Sequence, residues 1–327
     1  HRGLCETSPA FALAENGSLV LGDKAKTSAR LNPRATYNRF WQQLDQEPLN
    51  RPAAQAQSHA DIAYFHLKDI WQRYLAEDAE NAPEEVLIAV PSYMPKTALA
   101  LLLGIAKSCG LPVVGMVESA VAATSTVQTQ GSSLLLDISL HQATSTEISN
   151  TGELRLGSTE ILSKQGLVKL EDFWVQMIAK QFLQETRFDA LHDAASEQAV
   201  YHKLPEWLAA LQNHPVTSAA LETGTRKHIT ELNLKQFEHA AETIYQPLIK
   251  AATQHKGLVL LSHRLQQLPG LLHELKQVAN CVALAEDAPA QGALGHAAAI
   301  RSDPNSPSFI TQLPSAIQGA SRPENET

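Results

Sequence analysis

One pattern of strand, helix, strand and helix occurs twice in this chain. In the first copy the apolar run VLIAV, which begins at Val86, precedes a helix-like stretch, a second apolar run that ends at Val117 and a short alanine-rich helix. In the second copy GLVLLS and NCVALA are the strands, and residues 265–279 and 289–300 are the helices. The repetition predicts an internally duplicated α/β fold.

A meander of three strands is predicted ahead of the second copy. Its strands are SSLLLDI, HQATSTEIS and residues 153–161, and Asn150-Thr151-Gly152 is the turn between the last two. Amphipathic helices and a short β segment follow the meander. The helices are predicted at residues 170–186, 195–211 and 234–254, and the β segment at 227–231.

By the same symmetry the first half should also begin with a meander. Residues 11–21 offer only one hairpin, around Asn16-Gly17, so we expect at least one strand to be missing upstream. The predicted organisation is two lobes, each with a helical insertion, and a flexible tail rich in Pro, Ser and Asn. The boundaries are 1–130 with an insertion at about 22–85, 131–302 with an insertion at about 188–232, and 303–327 for the tail.

Composition limits the possible partners. The chain has 327 residues, 44% of them hydrophobic, and a formal net charge of −8 with no run of basic residues, which argues against nucleic-acid binding. No apolar run approaches the roughly 20 residues of a membrane span. The 3 cysteines are far apart and predict neither a zinc site nor a disulfide framework. A soluble, cytoplasmic protein is the expectation.

The first repeat and the segments around it resemble a known family. VLIAVPSYMPKTALALLLGIAKSCGLPVVGMVESAVAATS resembles the nucleotide-binding domain of the 70-kDa heat-shock chaperones, where V-P-A-Y, a helix, G-L and N-E-P-T-A-A-A follow in that order. LLLDISLHQATSTEIS resembles that family's second phosphate loop, D-L-G-G-G-T-x-D, and LVLLSHRLQQLP its adenosine-side loop. The resemblance covers residues 8 to about 300 and implies a divergent, bacterial-type member of the actin-like ATPase superfamily. Its fold would be the actin-like (ribonuclease H-like) duplicated α/β fold, with a mixed sheet in each lobe.

The resemblance also assigns site residues, and the departures from the family pattern bear on function. It implies catalytic positions at Glu118 and Asp137. Ser139, Leu140 and His141 stand where the family has phosphate-binding glycines, so we expect a strained loop that leaves no room for phosphate. On the adenosine side the paired glycines are replaced.

Four residues in the two substituted loops are the candidate cofactor-binding positions that the resemblance implies. They are Ser139, His141, Ser262 and His263. Glu118 has a simpler explanation than catalysis, because an acidic residue that opens a helix is favoured by the helix dipole. The histidines show no metal-ligand spacing, and no metal site is predicted.

Two functions from different classes remain open. The first is a pseudo-ATPase that acts as a protein-binding or regulatory module without a peptide-binding domain, through a protein partner that the sequence does not identify. The second is a divergent ATP-binding and ATP-hydrolysing enzyme that uses ATP or ADP with magnesium. A sugar kinase of the same superfamily is weaker, since no glycine-rich loops or catalytic base are found.

Overall fold

The computed structural model describes residues 7–77, 82–304 and 306–315, and shows an α/β protein with mixed sheets flanked by helices. The strands are β1 (Ala12–Glu15), β2 (Ser18–Leu21), β3 (Thr36–Tyr37), β4 (Pro48–Ala53), β5 (Ala56–Ser58), β6 (Val86–Val90), β7 (Val113–Glu118), β8 (Gly131–Ile138), β9 (Ala143–Asn150), β10 (Glu153–Ser163), β11 (Val216–Thr223), β12 (Arg226–Asn233), β13 (Leu258–Leu261), β14 (Cys281–Ala283), β15 (Phe309–Ile310) and β16 (Gln312–Pro314). The helices are α1 (Gly22–Lys26), α2 (His59–Glu77), α3 (Lys96–Ser108), α4 (Ser119–Thr124), α5 (Leu167–Thr186), α6 (Ala194–Asn213), α7 (Leu234–Gln254), α8 (His263–Gln266), α9 (Leu271–Val278), α10 (Ala288–Gly295) and α11 (Ala297–Ile300).

The largest sheet has six strands in the order β14-β13-β8-β9-β10-β16. The meander β8-β9-β10 is antiparallel, as the sequence predicts, while β13 is parallel to both β8 and β14. Leu134, Leu135 and Leu136 are all buried because β8 lies in the middle of the sheet with helices on both faces. Leu134 and Leu136 pack against α5 and α7, and Leu135 faces the opposite side.

The smaller main sheet has the order β15-β7-β6, with all three strands parallel. Ile88 and Val90 of β6 pack with α2 and α3, and Leu87 and Ala89 pack on the other face with α4 and α10. Both predicted strand-helix-strand-helix units are therefore present as secondary structure. The helix predicted at 265–279 is interrupted, since Pro269 has no N–H to donate and Gly270 has a φ of +76° that breaks the helical path.

A single hydrophobic cluster joins the two sheets. It contains Leu87 from the smaller sheet and Leu135 and Leu260 from the larger one, with α4 and α10 between them. The two helices approach closely at Gly292, where any Cβ would overlap the carbonyl oxygen of Ala122. The two sheets therefore share one continuous hydrophobic core.

The predicted N-terminal hairpin is present, and it belongs to a small sheet that is separate from the two main sheets. Asn16 and Gly17 form its turn with φ values of +49° and +76°. In the described residues the hairpin pairs with β3 in a separate sheet, β2-β1-β3, and not with β6 or β7. Phe11 and Leu13 pack with Ala25 and Ala29 in a small cluster that Leu140 and Val168 also contact. The insertion is also less helical than predicted, because β4 and β5 form a second hairpin there.

The C-terminal segment reaches both main sheets. Strand β15 pairs with β7, and β16 pairs with β10, so residues 309–314 connect the two sheets at their edges. The side chain of Leu313 is buried in the shared cluster. The sequence predicts a flexible tail here and misses both strands. Their apolar segments are only a few residues long and lie among Pro and Ser residues that are typical of a tail. Residues 316–327 of the predicted tail lie outside the described residues.

The second insertion consists of α6 and the hairpin β11-β12. The sequence predicts only β12, although Gly224 marks the turn between the two strands with a φ of +58°. Across the described ranges, no helix has both the length and the hydropathy that crossing a bilayer requires.

Candidate functional site

Asp137 lies near the C-terminal end of β8, the edge of a sheet where ligands of α/β proteins gather. The Asp137 carboxylate forms an ion pair with an arginine of the same protein. Arg264 of α8 donates to both oxygens of Asp137 through Nη2, at 2.9 Å to Oδ1 and 2.7 Å to Oδ2. The side chain of Asp137 is 24% exposed and that of Arg264 is 53% exposed. The carboxylate of Asp137, a catalytic position that the family resemblance implies, therefore already has a positive partner.

Tyr93 follows β6 and lies beside this ion pair. Its burial, and then the negative charge of Asp137, raise the pKa of the Tyr93 hydroxyl, while Arg264 and a hydrogen bond with the Ser139 side chain act in the opposite direction. Asp137 in turn raises the pKa of the Arg264 guanidinium. Tyr93, Ser139, Asp137 and Arg264 thus form one interacting polar group across the ends of β6, β8 and β13.

The loop that replaces the phosphate-binding glycines is a closed turn. The N–H of Ser139 donates to the carbonyl oxygen of Gln142 at 2.8 Å, and the Ser139 hydroxyl donates to the same oxygen at 3.2 Å. In the described residues, the non-glycine positions with positive φ are Asn16, Ala54 and Arg187, none of them in this loop. The expectation of a strained loop is wrong, because residues with a Cβ take an ordinary backbone path and close a turn.

The N-terminus of α5, which could otherwise bind an anion, is capped by the same loop. The N–H of Leu167 donates to the carbonyl oxygen of Ser139 at 2.9 Å, and the N–H of Val168 to that of Leu140 at 3.0 Å. Gly166 allows this contact, since a Cβ there would overlap Ser139 and the backbone nitrogens of His141 and Gln142. Two donors that a phosphate would use are therefore satisfied by protein carbonyls.

Side chains of the loop point toward the N-terminal part of the chain. Leu140 packs with Phe11 and Leu13 in the small cluster around α1, so it does not fill space at Asp137. The imidazole of His141 is buried, and its Nε2 donates to the carbonyl oxygen of Asn38 at 2.8 Å. Burial lowers the pKa of His141, which keeps the ring neutral. The segment that stands in place of the family's phosphate loop thus connects two parts of the protein.

The same interface includes ion pairs between α5 and residues of the N-terminal segment. Lys26 contacts Glu171 of α5 at 3.1 Å, and Arg30 contacts Asp172 at 2.6 Å. The guanidinium of Arg30 also lies 3.8 Å from the centre of the Tyr201 ring. These contacts fix α1 and the segment after it against α5 and α6.

Glu118 is completely buried, with 0% exposure, at the end of β7. Its Oε1 accepts from the hydroxyl of Ser92 at 2.7 Å, and its Oε2 accepts from the N–H of Val121 at 2.8 Å. Burial raises the pKa of Glu118, and these hydrogen bonds act in the opposite direction. Glu118 is thus the N-cap of α4, the simpler of its two sequence interpretations.

Ser262 and His263, which replace the paired glycines on the adenosine side, differ in their burial and hydrogen bonding. The N–H of Ser262 donates to the carbonyl oxygen of Leu136 at 3.0 Å, and its Oγ is buried without a hydrogen-bond partner in the described part of the chain. His263 begins α8 and is partly exposed, with its Nε2 2.8 Å from Nε2 of Gln267 and 3.8 Å from Glu286. The φ of Ser262 is −58°, so this loop is also unstrained.

The structure therefore brings Asp137, Ser139, Ser262 and His263 to one edge of the larger sheet and turns His141 away from it. Glu118 is buried at the end of β7 in the smaller sheet. Sequence reasoning missed Arg264 and Tyr93. Arg264 follows His263 directly, and an arginine next to the replaced glycines was the available signal. Two cavities of about 430 and 500 Å³ lie elsewhere, along residues 34–59 and between α2 and α3.

No family model and no curated protein matches this chain. Within the ranges that the structure describes, no three His, Cys, Asp or Glu side chains are grouped as a metal ion would need. A functional assignment therefore depends on the geometry of the two loops and of Asp137.

Glu118 provides a stability test of this geometry. We expect Glu118→Ala to lower the free energy of unfolding by about 2 to 4 kcal/mol, because it removes the cap of α4 and the acceptor of the Ser92 hydroxyl and leaves a cavity at a fully buried position. Glu118→Gln keeps one acceptor and should cost roughly half as much. Urea unfolding measures both, with the exposed Glu84→Ala as the control. An alanine variant as stable as the wild type would contradict the capping role.

Proposed function

We propose that this chain is a heat-shock-70-like protein with an actin-like duplicated fold that no longer turns over ATP. Its role is that of a protein-binding or regulatory module. The topology supports the fold, because β6-α3-β7-α4 and β13-α8-α9-β14-α10 have the same order and both pairs of strands are parallel. The two units meet through α4 and α10 in one cluster. The match is incomplete, since only the larger sheet includes a meander.

The observation that carries the functional proposal is the contact of Arg264 Nη2 with both carboxylate oxygens of Asp137. A carboxylate that holds magnesium must be open to the ion and its waters, whereas this one is neutralised by a guanidinium. The loop that should cradle phosphate uses its own N–H and carbonyl groups in a closed turn and in the cap of α5. These residues do not fit a magnesium-bound nucleotide, so we derive no catalytic step.

The alternative is a divergent ATPase in which Asp137 still holds magnesium and nucleotide. One feature favours it, because Arg264 is half exposed and its side chain is long enough to leave Asp137 without backbone movement. In that case nucleotide binding would begin with the rupture of this ion pair.

Thermal unfolding with and without magnesium and ATP distinguishes the pseudo-ATPase from the divergent ATPase. A ligand that binds only the folded state adds about 2.7 kcal/mol of stability at a hundredfold excess over its Kd. We expect the wild type to show the same Tm in both conditions. A rise that requires magnesium and disappears in Asp137→Ala would contradict the proposal and support the ATPase. Arg264→Gln is the companion variant, since freeing Asp137 should raise any residual nucleotide effect.

A further inference from the structure

A cavity of about 430 Å³ lies in the first insertion and shares no lining residue with the edge at Asp137. Its volume is within the range of small-molecule sites in proteins. The walls come from residues 34–37, from residues 43–51 and from the first residue of α2. The cavity is therefore formed where three segments of the insertion meet.

Hydrogen bonds between the walls hold the cavity in shape. The hydroxyl of Tyr37 donates to the carbonyl oxygen of Arg51 at 2.8 Å, which joins β3 to β4. A second pair of contacts joins the loop before β4 to α2. Nδ1 of His59 lies 3.3 Å from Oδ1 of Asp45, and the N–H of Ala60 donates to the carbonyl oxygen of Asp45 at 2.9 Å. A ligand therefore meets a preformed site.

Two arginine side chains in the cavity have no partner among the described residues. Arg34 and Arg51 both line the cavity, and their guanidinium groups form no ion pair or hydrogen bond with any part of the chain that the structure describes. Arg187 and Arg226 are unpaired in the same sense, but they line neither of the two cavities. Guanidinium groups bind carboxylates with good geometry, so the cavity offers two binding groups for an anion.

The cavity also contains negative charge, which limits the kind of anion that fits. Asp45 is already paired with His59, but the carboxylate of Glu47 has no such partner in the described ranges. Glu47 would repel a ligand that has only negative charge and would pair with one that also carries an ammonium group. Pro48 and Leu49 add an apolar part to the lining. These groups together match a free amino acid, which has a carboxylate, an ammonium group and a side chain.

We propose that this cavity is a binding site for a free amino acid with an apolar side chain. Arg34 and Arg51 hold the carboxylate, and Glu47 pairs with the ammonium group. The side chain of the ligand packs against Pro48 and Leu49. The site is independent of the proposed loss of ATP turnover, since no group at the edge of the larger sheet takes part.

Thermal unfolding of the 327-residue chain with each of the common amino acids is the first test, and those that raise the Tm are then titrated by calorimetry. We expect one or more amino acids with apolar side chains to bind saturably. The analogue that lacks the amino group should bind at least about tenfold more weakly, because the contact with Glu47 is lost. No saturable binding of any apolar amino acid, or equal binding of the analogue, would overturn the proposal.

Substitutions in the cavity locate the ligand. Arg34→Gln and Arg51→Gln should each weaken binding of the amino acid at least about tenfold, because a charged contact with its carboxylate is lost. Arg226→Gln on β12 is the matched control and should leave the affinity unchanged. Glu47→Gln should weaken binding of the amino acid but not of its amine-free analogue.

Wild-type affinity in either cavity arginine variant would contradict the site, and so would an equal loss in Arg226→Gln. Without ligand, Arg34→Gln and Arg51→Gln should have the wild-type Tm, because neither guanidinium has a partner in the described residues. A lower Tm would mean that these groups are already paired, and the proposal would fall.

Discussion

Gly292→Ala is expected to destabilise the protein by about 3 kcal/mol or more, the largest effect that we expect from adding one methyl group. Gly292 lies on α10 where this helix crosses α4, and an alanine Cβ would overlap the backbone oxygen of Ala122. Neither a rotamer change nor a small shift of one side chain relieves a clash with backbone. The two helices would have to separate, and the cluster that joins both sheets would open.

Gly104→Ala is the matched control, because Gly104 is also inside a helix but nothing lies within 4 Å of the position that a Cβ would take. Alanine is the better helix former, so this variant should be about 0.5 to 1 kcal/mol more stable than the wild type. Denaturant unfolding of both variants measures the difference. Equal stability of the Gly292 variant and the wild type would mean that α4 and α10 are not in close contact and that the two sheets do not share one core.

His66 on α2 should make the protein sensitive to acid. Its side chain is buried, and Trp41 donates to its Nδ1 at 3.1 Å while Nε2 lies 3.1 Å from the hydroxyl of Ser8. The ring must therefore be neutral, with its proton on Nε2. Ser8 cannot pass a proton to a nitrogen that already carries one, so this pair is not a nucleophile and its base.

Burial lowers the pKa of His66 from 6.5 to about 4 in the folded state. A depressed folded pKa means that the unfolded chain binds a proton first, so stability is full above about pH 6.5 and is lost as the pH falls toward about 4. Between about pH 7.5 and 4.5 this one residue should remove about 2 to 3 kcal/mol. His66→Gln should be less stable at neutral pH yet lack this part of the pH dependence.

Urea unfolding at several pH values measures the effect, and His239→Gln serves as control because the His239 side chain is 86% exposed. We expect the control to keep the wild-type slope. If His66→Gln kept it too, the neutral, Trp-bonded state of His66 would be wrong.

The sequence predicted most of the fold where local pattern and tertiary packing agree. Helix α7 begins at the predicted Leu234, and the three strands of the meander lie at the predicted places. Prediction from sequence failed where the secondary structure of a short segment depends on strands that are distant in the chain. Phe309 and Leu313 lie in strands only because β7 and β10 provide edges for them, and no local pattern can show this.

The sequence predicted where Asp137 lies in the fold but not what its carboxylate contacts. The end of β8 follows from its apolar run, so the placement of Asp137 at a sheet edge was accessible from sequence. Its pairing with Arg264 was not, because 127 residues separate the two. The strain expected for Leu140 failed for a related reason. The Leu140 side chain packs against Phe11 and Leu13, and the sequence alone could not show that these distant residues are in contact.

Calorimetric titration of the 327-residue protein with ATP and ADP, with and without magnesium, tests the central claim most directly. Arg264 on Asp137 and the closed turn at Ser139 predict no magnesium-dependent heat of binding for either nucleotide. Magnesium-dependent binding with a Kd of about 1 μM, equivalent to about −8 kcal/mol, would contradict the account.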